Sequence, residues 1–508
     1  MNHLCPRNRR RAIPRVLPLA LSSTLLATTG LLAAAARTAD NGWIGPRSDP
    51  ARHLFTRLPL PRSAAPRATP AALLPVANCN DDGAGSLRAT VAAAASGDEI
   101  DLRQLQCSKI TLSTGAVEVD VDDLAFLGPG RDRLVIDGGN QDRLFIHPHG
   151  GRLGFFGLTL ANGRNRATGF DVAGGGCVAS GGYLFVVDSS VRNCYAGGEG
   201  SYGGALYAYS LTLSNSSVTG NHAYGTHEAA GTAAFGGAAF VYALDLSAST
   251  VSGNRADHRV NPGFSSYDTG GAIVAVTGGT IRESTIDSNT SGGRAGGIAS
   301  FNPLTVINST ISGNRALSDI GGGLFLRWPS TLEMDNSTVT ANQAAFDGGG
   351  IWLNAPGSRI RSSIVFGNSS DLGNADNRYG LPGTFAIDGV ASIIGSASGL
   401  ITLPIDTLGS DPLLRPLAAN GGPTRTHALG AGSPAIDAGS NPATLANDQR
   451  GSGFVRVHGS AADIGAFEVQ PAAPNAALAV PTLSRLGAAL IAGLLAIATL
   501  FWRKRRRI

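Results

Sequence analysis

One six-residue phrase returns again and again through the middle of the chain, and it limits the fold more than any other feature. A Ser/Thr-rich pair, a β-branched residue, two further residues and an Asn recur as Ser216-Ser217-Val218-Thr219-Gly220-Asn221, Ser249-Thr250-Val251-Ser252-Gly253-Asn254, Ser284-Thr285-Ile286-Asp287-Ser288-Asn289, Ser309-Thr310-Ile311-Ser312-Gly313-Asn314 and Ser337-Thr338-Val339-Thr340-Ala341-Asn342. Looser copies end at Asn162, Asn193 and Asn368, so that successive Asn positions differ by 31, 28, 33, 35, 25, 28 and 26. A period in this range means a solenoid or a propeller.

A second phrase lies between the Asn positions: Gly203-Gly204, Gly236-Gly237, Gly270-Gly271, Gly296-Gly297, Gly322-Gly323 and Gly349-Gly350, each opening a short apolar run such as Ile273 to Val276. Short strands separated by Gly and Asn turns, with no helical period, exclude leucine-rich and ankyrin-type solenoids. WD40 blades need longer repeats and a Trp-Asp signature, which is absent. The expectation is an all-β, right-handed, single-stranded parallel β-helix, one coil per repeat at about 4.8 Å, its inward side chains forming apolar columns. Asn repeated at one corner is read as a stacked amide column tolerating left-handed backbone, and Gly pairs supply positive φ at another.

Charge is distributed unevenly along the 508 residues. Residues 1–70 carry +9, residues 471–508 carry +6, and the total is +4, which leaves −11 for residues 71–470. Net positive charge confined to the tails of an acidic body argues against a nucleic-acid partner.

Both ends read as export machinery. Arg7, Arg9, Arg10, Arg11 and Arg15 precede an apolar run and Ala33 to Ala36, the pattern of a signal peptide over residues 1–36. A Pro/Ala/Arg-rich linker is expected over 37–77, an N-terminal cap over 78–125, β-helix repeats over 126–400 and a distinct segment over 401–470. Residues 471–508 hold Val480-Pro481-Thr482-Leu483, an apolar stretch from Leu486 to Trp502, and Arg503-Lys504-Arg505-Arg506-Arg507. That stretch is read as a transmembrane helix whose basic tail stays cytoplasmic.

This tripartite ending resembles the IPTL-type C-terminal sorting signal of Gram-negative bacteria, with Val480 in place of the usual Ile. The resemblance implies an exosortase-like sorting protease as partner and delivery to the cell surface or outer membrane. The repeats are similar to those of polymorphic outer-membrane proteins. Cys79-Asn80-Asp81-Asp82-Gly83-Ala84-Gly85-Ser86-Leu87-Arg88 resembles the opening of CSLREA-like surface proteins. Asp411-Pro412-Leu413, Asn420-Gly421-Gly422-Pro423-Thr424, Ser433-Pro434-Ala435-Ile436-Asp437-Ala438-Gly439, Asp448-Gln449-Arg450-Gly451 and Asp463-Ile464-Gly465-Ala466-Phe467-Glu468 look like the end of choice-of-anchor Q proteins. No enzymatic activity comes with that group. In the opening segment, Ser86 is placed to cap a helix from Leu87 to about Ala95, ended by Gly97, that would cover the first strand edge.

Cys5 falls in the signal region; Cys79, Cys107, Cys177 and Cys194 remain, and in an exported chain they point to disulfides with three connectivities open. Cys79 with Cys107 and Cys177 with Cys194 is the expected set. A zinc site is the alternative, disfavoured because no Cys-x-x-Cys or nearby His pair occurs.

Lyases of this fold need acids for calcium and a basic residue, and hydrolases need close carboxylates. Apart from Lys504 the sequence has only Lys109, and the Asn-Thr-Asp, Gly-His-Gly and Arg-Ile-Lys patterns of polygalacturonases are missing. Asp268, Arg294, Asp319 and Asp347 precede the Gly pairs and would form a charge ladder on consecutive rungs. Asp319 and Asp347 are the candidates for calcium, the one cofactor considered; no catalytic residue is assigned. Asp437, Asp448, Arg450, Asp463 and Glu468 are expected to form buried ion pairs closing the last coil, and His427 lacks a visible partner nucleophile. The expected function is that of a surface-anchored, non-catalytic adhesin or envelope interaction protein. Its partners would be a polysaccharide or a host or neighbouring cell surface. The alternative is a polysaccharide-active lyase, hydrolase or epimerase.

Overall fold

A computed structural model of the chain describes residues 71–471 apart from 167–171, 199, 226–232, 259–267, 328, 354–356, 372–376, 380–384, 387–389, 399–400 and 403–406. The signal region, the sorting motif Val480 to Leu483 and the expected transmembrane stretch lie outside these residues. Among the described residues no helix is long and apolar enough to cross a membrane.

The repeats wind into an all-β parallel solenoid. Each coil contributes to three faces, which form sheets of 20, 11 and 8 strands among the described residues. The first face is bent, so many coils give it two strands, as with Ile298–Ser300 and Leu304–Ile307. The second face carries the Val/Ile of the repeated phrase. Ile110, Ile136, Leu160, Val191, Val218, Val251, Ile286, Ile311, Val339, Val365 and Ile394 stand in register, one above the next, each essentially buried. Period-two alternation points these inward and their neighbours outward, which is why the phrase sets polar Ser and Thr around an aliphatic, mostly β-branched centre.

Two polar ladders hold the corners of this face. At the exit corner Asn221 donates through its side-chain amide to Oδ1 of Asn254 (2.8 Å), and the relay continues through Asn289, Asn314, Asn342 and Asn368 at 2.9 Å each. These Asn residues are not the left-handed ones. The residue before each takes the positive φ: Gly220, Gly253, Ser288, Gly313, Ala341 and Gly367. Asn162 and Asn193 are left-handed and align with Gly220, so the ladder position on the earlier coil belongs to Cys194. At the entry corner a serine ladder runs beside it: the amide of Ser216 donates to Oγ of Ser249, Ser249 to Ser284, Ser284 to Ser309, Ser309 to Ser337 and Ser337 to Ser363, at 3.0–3.2 Å.

The Gly pairs mark where the third face turns back into the first. A Cβ on Gly237 would lie 2.5 Å from the backbone of Arg255, and one on Gly271 2.5 Å from Thr290, so only glycine lets the two strands approach.

Both disulfides form, Cys79 with Cys107 and Cys177 with Cys194. Helix α1 spans Leu87–Ala92, shorter than expected, capped by Ser86 Oγ accepting from the Ala89 amide, with Leu87 and Val91 buried. Asp81 anchors this cap: burial pushes its carboxyl up, but Arg88, Thr114 and Ser113 outweigh that and hold it at about 2. The solenoid begins before the expected linker boundary at 77, since Leu73–Pro75 already pairs with Glu99–Asp101 and Val76 is buried.

The C-terminal segment does more than close the last coil. Residues 424–466 lie along the outside of the second face, bonded to Thr285, Ser312 and Thr338. The outward residues of that face change accordingly from half-buried at Ser217–Thr219 and Thr250–Ser252 to buried at Thr285–Asp287, Thr310–Ser312 and Thr338–Thr340. Within the segment, Arg450 pairs with Asp448 and Arg456 with Glu468, all buried. Asp463 Oδ1 accepts from the Asp437 amide at 2.8 Å. Arg456 is the ion-pair member that sequence reading passed over.

Candidate binding face

Asp268, Arg294, Asp319 and Asp347 do not share one column. Ala295, not a glycine, takes the positive φ on its coil (52°), which places its Gly pair one residue late. Arg294 therefore stands in register with Thr269. It aligns with Ile320 and Asp347 on the following coils, through the Ala295 to Ile320 and Gly321 to Asp347 backbone bonds. Asp268 and Asp319 fall one position earlier. Asp268 is fully buried, accepting from the Ala234 amide at 2.8 Å and pairing with His258 at 2.7 Å. That bond, set against burial, raises the His258 pKa. Arg294 Nε donates to Asp319 at 2.7 Å. As a calcium pair, Asp319 and Asp347 are thus offset from each other, with Asp319 already engaged by a cation. Among the described residues no group of three or more His, Cys, Asp or Glu is gathered to hold a metal ion.

Beside this region Tyr207, Phe240, Val274, Ala299, Phe325 and Trp352 stack in register on the outside of the first face. Tyr207 and Phe240 lie with rings parallel at 5.8 Å, and Phe325 and Trp352 at 5.0 Å. Stacked along the solenoid and mostly buried, they form a second, smaller core rather than an open platform.

His427 does find a serine. Its Nε2 lies 2.8 Å from Ser312 Oγ and its Nδ1 donates to the Arg415 carbonyl at 2.7 Å, so the neutral tautomer accepts the serine proton. The geometry is that of an activated nucleophile, yet Ser312 is 3% and His427 8% exposed, sealed between segment and solenoid. Burial lowers the His427 pKa. The pair fastens the segment to the rod.

The third face carries the outward chemistry that sequence reading missed. Its first outward column runs Arg164, Tyr195, His222, Arg255, Thr290, Arg315 and Gln343 on successive rungs. A parallel column holds Arg166, Gly197, Tyr224 and Asp257. Inward lie Ala196, Ala223, Ala256, Ser291, Ala316 and Ala344, small residues that bring this face close to the Gly corner.

Arg164 sits over the Tyr195 ring at 4.6 Å from its centroid, and the Tyr195 ring lies across Gly197, where a Cβ would come within 2.4 Å of its hydroxyl. His222 meets the edges of Tyr195 and Tyr224 at 5.5 Å each and pairs with Asp257, which Arg255 Nε also binds at 2.6 Å. Burial pushes the Asp257 carboxyl up, but His222 and Arg255 together more than offset it and keep it ionised below the ordinary range. No protein acceptor binds the guanidinium of Arg164, Arg166 or Arg315 among the described residues. The sequence signal was present: these are the residues that follow the ladder position, and they line up only once Cys194 is given that position in place of Asn193.

No protein-family model and no curated protein matches the sequence. Among solved structures the chain is similar to pectate lyase Pel9A, with 13% identity and a TM-score of 0.43, over 79% of this chain and 98% of that one.

Proposed function

We propose that the chain is exported, anchored at the cell surface, and acts as a non-catalytic binding rod, an adhesin or an envelope interaction protein. One observation carries this reading: Asp268 and Asp319 of the expected charge ladder, and Asp257 on the third face, are committed to structural partners. Asp268 is bound to the Ala234 amide and His258, Asp319 to Arg294, and Asp257 to His222 and Arg255. Arg164, Arg166 and Arg315, which have no carboxylate partner among the described residues, lie instead along one face, which suits binding more than bond cleavage.

Within this reading the coil is right-handed, as crossovers between parallel strands nearly always are. The flanks belong to the choice-of-anchor Q and CSLREA-like group. The C-terminal stretch inserts in the membrane and is processed by an exosortase-like protease at Val480 to Leu483. The full chain is to be incubated with neutral and acidic polysaccharides, with and without calcium, while release of reducing or unsaturated ends is followed. Binding without release supports the rod. Release abolished by Asp319→Ala or Asp347→Ala overturns it in favour of a polysaccharide-active enzyme.

A further inference from the structure

We infer that the third face is a binding site for a linear acidic polysaccharide, which lies along the solenoid axis across Arg164, Tyr195, His222, Arg255, Thr290 and Arg315. The inference rests on the reading of the rod as non-catalytic and names its ligand class.

The six residues stand on consecutive rungs in unbroken parallel register, with Arg255 and Arg315 exposed and Arg164, Tyr195, His222 and Thr290 half-buried. Five rung steps of about 4.8 Å make a track of about 24 Å. Arginines fall at the first, fourth and sixth positions, so cations are separated by about 14 and about 10 Å, multiples of one rung. Such a spacing meets a polymer whose charge repeats at a fixed interval close to one rung, as in a chain of uronic or sulfated sugars. A globular partner would have no reason to follow the axis.

The charge on this track is available. Arg164 and Arg315 have no protein acceptor among the described residues, whereas Arg255 on the same track is bound to Asp257, and Arg88, Arg361 and Arg450 elsewhere are bound to carboxylates. The body around it is acidic, −11 over residues 71–470, so two arginines without a carboxylate partner on one track are a local reversal of sign. Between the cations the track offers the Tyr195 and Thr290 hydroxyls and the His222–Asp257 pair. This mixture of donors and acceptors fits a ligand that bears hydroxyl groups as well as anions.

A nucleic acid is the competing polyanion, and the rings decide against it. Single strands are held by bases stacking on open ring faces. Tyr195 has one face under Arg164 and lies against the strand at Gly197, while His222 meets its neighbours edge to face.

The test measures binding of the full chain to polygalacturonate, dextran sulfate, neutral dextran and single-stranded oligothymidylate by titration calorimetry at low and high salt. The expected result is binding of one or both acidic glycans, absent for neutral dextran and weakened at high salt as screening shortens. The double variant Arg164→Ala/Arg315→Ala should lower affinity at least tenfold, and Arg164→Lys/Arg315→Lys should recover part of it. Arg315 is exposed and Arg164 half-buried, and an unchanged unfolding midpoint shows that the variants fold. Tighter binding of oligothymidylate, equal binding of neutral dextran, or a double variant with unaltered affinity overturns the inference while leaving the rod intact. Release of sugar fragments would instead overturn the non-catalytic reading on which it rests.

Discussion

Ser312 Oγ and His427 Nε2 meet at 2.8 Å although 115 residues separate them, and through this bond the C-terminal segment is tied to the middle of the rod. Arg425 adds an ion pair to Asp287 on the neighbouring rung, and Gln449 a set of hydrogen bonds to Thr285 and Thr310. The segment thus converts the exposed Ser/Thr surface of the second face into an interior.

The burial of His427 makes this attachment sensitive to pH. Burial lowers the folded pKa of His427 below its ordinary 6.5, so the detached segment takes up a proton at a pH where the attached one does not. Its stabilisation is complete above about 6.5 and is lost as the pH falls from there through the folded value. Hydrogen exchange of residues 424–429, corrected for the intrinsic rate, should accelerate between about pH 7.5 and about pH 5.5, and His427→Gln should abolish the change. An identical acceleration in His427→Gln would assign the effect to another group. His258 works in the opposite sense: its raised pKa gives stability that is full below 6.5 and lost as the pH rises through the folded value. For this reason the local measurement is preferred to a global melting curve.

The Asn ladder should be costly to interrupt. Asn289 accepts from both the amide and the side chain of Asn254, and donates to Asn314 and to the Val251 carbonyl. Asn289→Ala strands these buried groups and should destabilise the rod by about 3 kcal/mol, since each unsatisfied buried polar group costs about 1–3 kcal/mol. Asn302→Ala, which removes one exposed bond to Val276, should cost less than about 1 kcal/mol. Denaturant unfolding of the two variants checks the contrast; equal losses would mean that the ladder adds nothing beyond an ordinary surface bond.

How much of this could be read in the sequence depended on whether a residue type repeats. The strand columns, the stacked Asn amides and the Gly corner were legible because one coil must match the next. What escaped was register, which a single substitution can shift without disturbing the pattern by eye. Ala295 in a glycine's place displaced Arg294 from the expected charge column, and Cys194 in an asparagine's place hid the Tyr195 and His222 track. The course of residues 424–466 was not legible at all, because Ser312, Thr285 and Thr338 look the same in sequence whether they face water or a covering segment.

Gln449 tests that covering segment directly. Fully buried, it accepts from Thr310 at 2.6 Å and donates to Thr285, Thr424 and the Arg425 carbonyl at 2.9–3.1 Å. Gln449→Ala should cost about 2–3 kcal/mol, the penalty for stranding hydroxyls in an interior. Because the solenoid beneath keeps its own core, the loss should appear as faster proteolysis within 424–466, with the rod's cooperative unfolding little altered. Unchanged proteolysis would show that the segment is held by its apolar contacts alone.

The last prediction turns on Cys194, which stands where the ladder would carry an Asn. Its amide donates to Asn221 Oδ1 at 2.9 Å as a ladder residue's does, and the residue before it, Asn193, has the left-handed φ found at every ladder corner. Its side chain is spent on Cys177, closing a loop with sequence separation 17. Replacing both cysteines by Cys177→Ala/Cys194→Ser should lose about 3 kcal/mol, the value for a loop of roughly this length. Cys177→Ala/Cys194→Asn should lose about 1 kcal/mol less, because the new amide can bond Asn221 Oδ1 and lengthen the ladder by one rung. Denaturant midpoints of the two double variants decide between these outcomes. If Ser and Asn at position 194 prove equal, the disulfide would be the sole reason the ladder can end at Asn221.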